Sequence, residues 1–168
     1  MIPTNDITAW AHRAPWPSAD QVEQDLPPSQ LICLIAGDEY LGDELVFRGG
    51  TCLHKLYLHP ARRYSEDLDY VRLTAGGIGK VTKAISDIGA NLGYEVRTKM
   101  SAQPKVYLRY IAESGTTRKI KVEVHPRTLS GDLDRPSALR GDLELVERAG
   151  RRPYLQPRRA GHDQIRAL

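Results

Sequence analysis

Residues 46 to 73 read "VFRGGTCLHKLYLHPARRYSEDLDYVRL": a glycine pair, a helix-like stretch, and then two aspartates one residue apart. This order constrains the fold more than anything else in the chain. "ELVFRGG" has the look of a short buried strand ending in glycines, and "TCLHKLYLH" sets Leu53, Leu56 and Tyr57 on one helical face before Pro60 closes it. "SEDLDYVRL" then reads as a second strand, with Leu68, Tyr70 and Arg72 on the side opposite Asp67, Asp69 and Val71. Sixteen residues lie between Gly50 and Asp67, room enough for a helix and a return loop.

The pattern carries chemistry because residues two apart on a strand face the same side, about 6.5 Å apart from Cα to Cα. Carboxylates so placed converge on shared cations. Hard oxygen ligands suit Mg²⁺, and a pair of ions about 4 Å apart is the usual device for in-line phosphoryl or nucleotidyl transfer. Asp67 and Asp69 fit that task. Gly49 and Gly50, with no Cβ, permit close backbone approach, and a helix beginning near Thr51 directs free N–H groups at a triphosphate, with the Thr51 hydroxyl as a further donor. In "KIKVEVHPR" the alternation places Lys121, Glu123 and His125 on one face and Ile120, Val122 and Val124 on the other. Glu123 is therefore the candidate third carboxylate, as metal ligand or as base for an attacking hydroxyl, and Lys121 the candidate to steady phosphate charge.

Around this unit the chain alternates in a way that defines the fold class. "ITAWAH" is helical; Ser18 is expected to cap "ADQVEQDL", and Pro27 and Pro28 to end that helix or open the next. "SQLICLIAGDEYLG" has helical spacing, with Gly42 as its stop. Ile78, Val81, Ile85, Ile88 and Leu92 mark a further helix closed by Gly93, and the strands "YEVRTKM", "KVYLRYIAE" and "RKIKVEVHP" follow, the last two joined as an antiparallel hairpin by "ESGTT". The expectation is an α+β core around a mixed β-sheet flanked by helices. The divisions expected are a helical flank over 1–42, the core over 43–130, and a basic C-terminal segment over 131–168.

At 168 residues, with 40% hydrophobic and 27% charged residues, the chain has the size and composition of one globular domain rather than a disordered or fibrous protein. Its two cysteines, Cys33 and Cys52, have neither metal-ligand spacing nor partners for a disulfide framework, and they read as small buried hydrophobes. No signal peptide or membrane-length apolar run is present, so a cytoplasmic location is expected. The net charge is +3, with arginines gathered at Arg62 and Arg63 and again at Arg151, Arg152, Arg158 and Arg159. These clusters are either a solvated surface or contacts for a polyanion.

"FRGGTCLHKLY" followed by "RYSEDLDY" resembles the core motif of the AbiEii/MenT-type nucleotidyltransferase toxins, a G-G-[TS]…S-x-D-[ILV]-D signature of the polymerase-β-like nucleotidyltransferase superfamily. The likeness covers about residues 30 to 127. It implies a nucleotidyltransferase core in which Gly49, Gly50, Thr51 and Ser65 lie at the triphosphate while Asp67 and Asp69 bind Mg²⁺. It further implies a toxin paired with a separate antitoxin protein, transferring NMP from an NTP to RNA, with the tRNA 3′ end as the favoured acceptor, so that translation stops. The arginine clusters would then contact tRNA phosphates. Family members continue into a helical region with an E-x-L-x-x-K-x-x-A-L segment and an R-D-x-x-D element. Here "GHDQIRAL" has Gln164 and Ile165 where the lysine is expected, and the resemblance implies a shortened C-terminal region.

Plainer readings stand beside these. Asp-x-Asp alone is commonly a turn or a salt-bridged strand end; the preceding glycine–helix unit is what favours a metal site. An EF-hand is excluded by Tyr70 and Val71 after Asp69, and a Walker loop by the lack of a Gly-Lys-Ser/Thr ending. Ser65 can serve as a turn cap, Glu123 as a salt-bridge partner of Arg109 or Lys121, His54 and His59 as surface residues, and His125 as a nucleic-acid contact. Two other functions remain open: a catalytically inactive, truncated remnant that binds nucleotide, nucleic acid or a partner protein, and an NTP-dependent modifier of a protein or small molecule.

Overall fold

The computed structural model describes residues 2–14, 16–58 and 67–126. Helices α1 (Thr4–Ala11), α2 (Ala19–Gly37) and α3 (Glu39–Glu44) lead into strand β1 (Leu45–Arg48). Helix α4 (Gly49–Cys52) runs directly into a π-helical turn over Leu53–Tyr57. Strand β2 (Leu68–Arg72), helix α5 (Gly79–Asn91) and strands β3 (Glu95–Lys99), β4 (Lys105–Ile111) and β5 (Thr117–His125) complete the order. Among the described residues the result is the expected α+β architecture: a five-stranded mixed sheet, ordered β1-β2-β5-β4-β3, with helices packed against it.

Strand β2 pairs with β1 antiparallel and with β5 in parallel, while β4 pairs antiparallel with both β5 and β3. The "ESGTT" turn forms as its composition dictates. Gly115 adopts φ +80°, where a side chain would be strained, and Ala112 N–H donates to the Thr116 carbonyl at 2.9 Å. Leu68 and Tyr70 of β2 and Ile120, Val122 and Val124 of β5 face the core with 3% exposure or less. Each such side chain contributes about 1.5–3 kcal/mol by leaving water. Val22, Leu26, Leu31, Ile32 and Ile35 of α2, with Val81 and Ile85 of α5, meet them in a shared core.

The helices depart from the sequence reading in four places. α2 does not stop at Pro27 and Pro28 but passes through both. Each proline lacks the N–H that would reach back one turn, a cost of roughly 3 kcal/mol in an ordinary helix interior. Burial of both prolines together with Leu26, Leu31, Ile32 and Ile35 offsets this. The segment expected to end at Gly42 instead divides at Asp38, whose carboxylate caps α3 by accepting from Tyr40 N–H at 3.1 Å and Leu41 N–H at 2.8 Å. Ser18 occupies the position before α2 without a side-chain capping bond.

The fourth departure lies beside the glycine pair. Leu53 and Tyr57, expected on a buried face, are 53% and 49% exposed, whereas Thr51, Cys52 and His54 are buried. The π turn, closed by Leu58 N–H donating to the Leu53 carbonyl at 2.9 Å, spans an extra residue and so rotates the following side chains off the α-helical spacing. His54 thereby goes inward rather than to the surface, and burial lowers its pKa. Cys52 is buried and Cys33 partly so, neither in a disulfide, and burial pushes the Cys33 thiol up to about 11.

Candidate active site

β1 ends at Arg48, and the chain turns at Gly49 into α4 with φ +84°. Two demands make glycine necessary there. The dihedral is one that side chains rarely adopt, and a Cβ on Gly49 would lie 2.4 Å from Asp69 Oδ2. The first glycine of the pair thus lets the loop close against the second aspartate. Gly50 follows in α4 and is exposed. Thr51 is fully buried, and its hydroxyl donates to the Asp67 carbonyl oxygen at 2.6 Å, tying the start of α4 to the entrance of β2.

The sheet brings the third carboxylate alongside. In the parallel β2–β5 register Asp69 is opposite Glu123, and Val71 opposite His125. Lys121, Glu123 and His125 share a face as expected, with Ile120, Val122 and Val124 in the core. The Lys121 ammonium lies 2.8 Å from Asp67 Oδ2 and 2.8 Å from Glu123 Oε1. Lys105, opposite Glu123 across β4–β5, sits 3.0 Å from the same Oε1. Hydrogen bonds from Lys121 and Lys105 hold the Glu123 carboxyl below its usual range, and those to Asp67 and Glu123 raise the Lys121 ammonium above its own.

The other Glu123 oxygen faces a different group. His125 Nε2 is 3.9 Å from Glu123 Oε2 and 4.0 Å from Asp69 Oδ1. One donor atom from each of Asp69, Glu123 and His125 lies within 4.8 Å of the others, the residues being partly or fully buried. Donors of this kind fit a divalent cation. Asp67 is the most open carboxylate of the group, with its side chain 47% exposed. The arrangement therefore brings donor atoms of a kind that suit a divalent cation, an ammonium and a tight glycine turn together at one end of the sheet.

Of the residues proposed from sequence, the structure gathers Gly49, Gly50, Thr51, Asp67, Asp69, Lys121 and Glu123 at this end. Ser65, Arg62, Arg63, Arg151, Arg152, Arg158 and Arg159 lie outside the described residues. The alternative pairing of Glu123 with Arg109 does not occur; Arg109 faces Glu95 at 3.9 Å. Lys105 was not anticipated. Its signal was the hairpin itself, since a loop over residues 112–116 puts Lys105 across from Glu123 by counting back along both strands.

Among the described residues no helix is long and apolar enough to cross a membrane. No curated protein matches the chain. A solved structure that does match is MenT4, a nucleotidyltransferase toxin from Mycobacterium tuberculosis H37Rv, 25% identical with a TM-score of 0.47. The match covers 77% of this chain and 45% of that one, so the chain spans less than half the length of that protein. Residues 33–141 match the family described as nucleotidyl transferase AbiEii toxin, Type IV TA system. That span is more than half of the chain and takes in the glycine turn, both aspartates and Glu123, and the protein belongs to the AbiEii nucleotidyl transferase toxin family.

Proposed function

We propose that this protein is a nucleotidyltransferase toxin of a toxin–antitoxin pair, transferring NMP from an NTP to the 3′ end of tRNA with Mg²⁺ as its cation. Membership of the AbiEii family supports the reaction class and the antitoxin partner. The observation that carries the reading is the alignment of Asp69 with Glu123 across β2 and β5, with Gly49 packed against the Asp69 carboxylate.

Asp67, Asp69 and Glu123 are the residues that would hold the cation, which when bound neutralises charge on the transferring phosphate. Gly49 and Gly50 leave room for the triphosphate against the backbone at the start of α4. Lys121, kept protonated by its two carboxylate partners, adds a fixed positive charge beside the transferring group. Glu123, held ionised by two ammonium groups, adds its negative charge to the cation site. Asp67, the open carboxylate, or Glu123 takes the proton from the terminal RNA hydroxyl. As that oxygen bonds to the α-phosphorus, the bond to the pyrophosphate oxygen breaks in line and pyrophosphate leaves.

The test incubates the full chain with tRNA, Mg²⁺ and each labelled NTP in turn, beside Asp67→Ala and Asp69→Asn. Label on tRNA with the wild type and not with the variants is the expected result and names the nucleotide. Full transfer by Asp67→Ala would sink the assignment. Bound NTP without label on any acceptor would instead identify a binding protein that has lost turnover.

A further inference from the structure

One face of the sheet carries Val106, Leu108, Ile120, Val122 and Val124 into the core shared with α2 and α5. The alternate residues of β3, β4 and β5 point the other way, and apart from Glu123 they are exposed or half-buried. The register sets them side by side, because directly paired residues of neighbouring strands share a face. Arg97 lies opposite Tyr107, and Tyr107 opposite Lys121. Two residues away along β4, in either direction, Arg109 pairs with Lys119 and Lys105 with Lys99. Six cations therefore surround one tyrosine ring, against the two carboxylates Glu95 and Glu123 on the same three strands.

Part of this charge is compensated and part is not. Lys105 and Lys121 are tied to Glu123 and Asp67 at the catalytic end, and Arg97 and Arg109 share Glu95. Among the described residues Lys99 and Lys119 have no carboxylate within ion-pair reach, and both are exposed. The Lys119 ammonium instead lies 5.9 Å from the centre of the Tyr107 ring. Tyr107 is opposite Lys121, so Glu123 is its diagonal neighbour, a relation that spans about 7–8 Å. The ring thus adjoins the carboxylates of the active site.

These features favour one class of partner. Uncompensated positive charge draws a polyanion, and an aromatic ring among cations on an open sheet holds an unstacked base while the cations follow the phosphates. A protein partner needs an apolar centre depleted of charge, whereas the apolar side chain on this face of β4, Ile111, stands at the end of the strand away from the carboxylates. A duplex keeps its bases stacked and offers no base to the ring.

We propose that the open face of β3, β4 and β5 is the docking surface for the single-stranded end of the RNA acceptor. A base stacks on Tyr107, the phosphates meet Lys99, Lys119 and the two arginines, and the terminal hydroxyl is delivered to the carboxylates. The proposal deepens the nucleotidyltransferase reading and rests on it for the RNA acceptor.

The experiment titrates the full chain into a fluorescently labelled RNA of about twelve nucleotides with a free 3′ hydroxyl, following anisotropy at several salt concentrations, beside the same RNA annealed to its complement. The single strand is expected to bind more tightly than the duplex. Tyr107→Ala should weaken it about tenfold and Tyr107→Phe little, because the phenyl ring still stacks. Lys99→Ala/Lys119→Ala should lower the salt slope by about 1.4. Unchanged affinity and slope in folded Tyr107→Ala and in the folded double variant would overturn the proposal. Equal binding of the duplex would do the same, as would displacement of the RNA by poly-glutamate of equal charge, which marks a surface for acidic protein. Transfer assays on the same proteins keep the two readings apart. RNA binding that depends on Tyr107, with no label transferred from any NTP, would uphold the surface and remove the transferase reading; transfer at limiting RNA that Tyr107→Ala leaves undiminished would overturn the surface alone.

Discussion

Lys55 Nζ lies 2.6 Å from Asp25 Oδ1 and 2.7 Å from Ser29 Oγ, joining the turn that follows the glycine pair to the middle of α2. Asp25 is 1% exposed, and its other oxygen accepts from Trp10 Nε1 at 2.9 Å. Removing the lysine strands a buried carboxylate. Lys55→Met is expected to cost about 3–5 kcal/mol in urea unfolding, and the double variant Lys55→Met/Asp25→Asn to cost less than Lys55→Met alone. A double variant as unstable as the sum of both singles would show that the two residues act independently.

Gly49 faces two penalties at once, an unfavourable φ and a clash with Asp69 Oδ2. Gly49→Ala should lose about 1–3 kcal/mol of stability and, by displacing Asp69, about a hundredfold in nucleotide transfer. Gly79 at the start of α5 has open space where a Cβ would stand, with nothing within 4 Å, so Gly79→Ala serves as the neutral control. Equal behaviour of the two variants would remove Gly49 from the site.

Thr51 contributes a hydroxyl where no water reaches, donating to the Asp67 carbonyl. Thr51→Val keeps the shape and leaves that carbonyl short of a donor, a loss of about 1–3 kcal/mol, while Thr51→Ser keeps the bond. Thermal unfolding of the three proteins side by side gives the comparison. Transfer activity should follow the same order, because the bond positions the residue that opens β2.

Acid should weaken the site through Glu123. Its carboxyl is held below the usual 4.5 by Lys121 and Lys105, so its contribution to stability is complete above that pH and is lost as the pH falls through the lower folded value. Lys121 works with the opposite sign: raised above its usual 10.5, it contributes fully below that pH and loses its contribution as the pH rises through the higher folded value. Urea midpoints measured below pH 4.5 should fall less steeply for Glu123→Gln than for the wild type. Parallel curves would mean that the ammonium contacts do not shift Glu123 in solution.

Much of the fold was legible because strands and amphipathic helices announce themselves locally. The face of β5 that holds Lys121, Glu123 and His125, the turn at Gly115 and the end of α5 at Gly93 all follow from short-range periodicity and turn chemistry. What was hidden depends on partners far along the chain. The passage of α2 through Pro27 and Pro28 needs the core that covers it, and the inward turn of His54 needs a π turn that no spacing rule anticipates. The Lys55–Asp25 pair joins residues thirty positions apart.

By itself the sequence determined which residues share a strand face, because the two-residue period of extended chain is a local property. Only the tertiary structure decided that Asp69 lies beside Glu123, since β2 and β5 are separated by α5, β3 and β4 and meet in parallel. Burial of Leu68 and Tyr70 against Val122 and Val124 fixes that register. A slip by one residue would turn the whole apolar set to solvent and carry the carboxylates into the core.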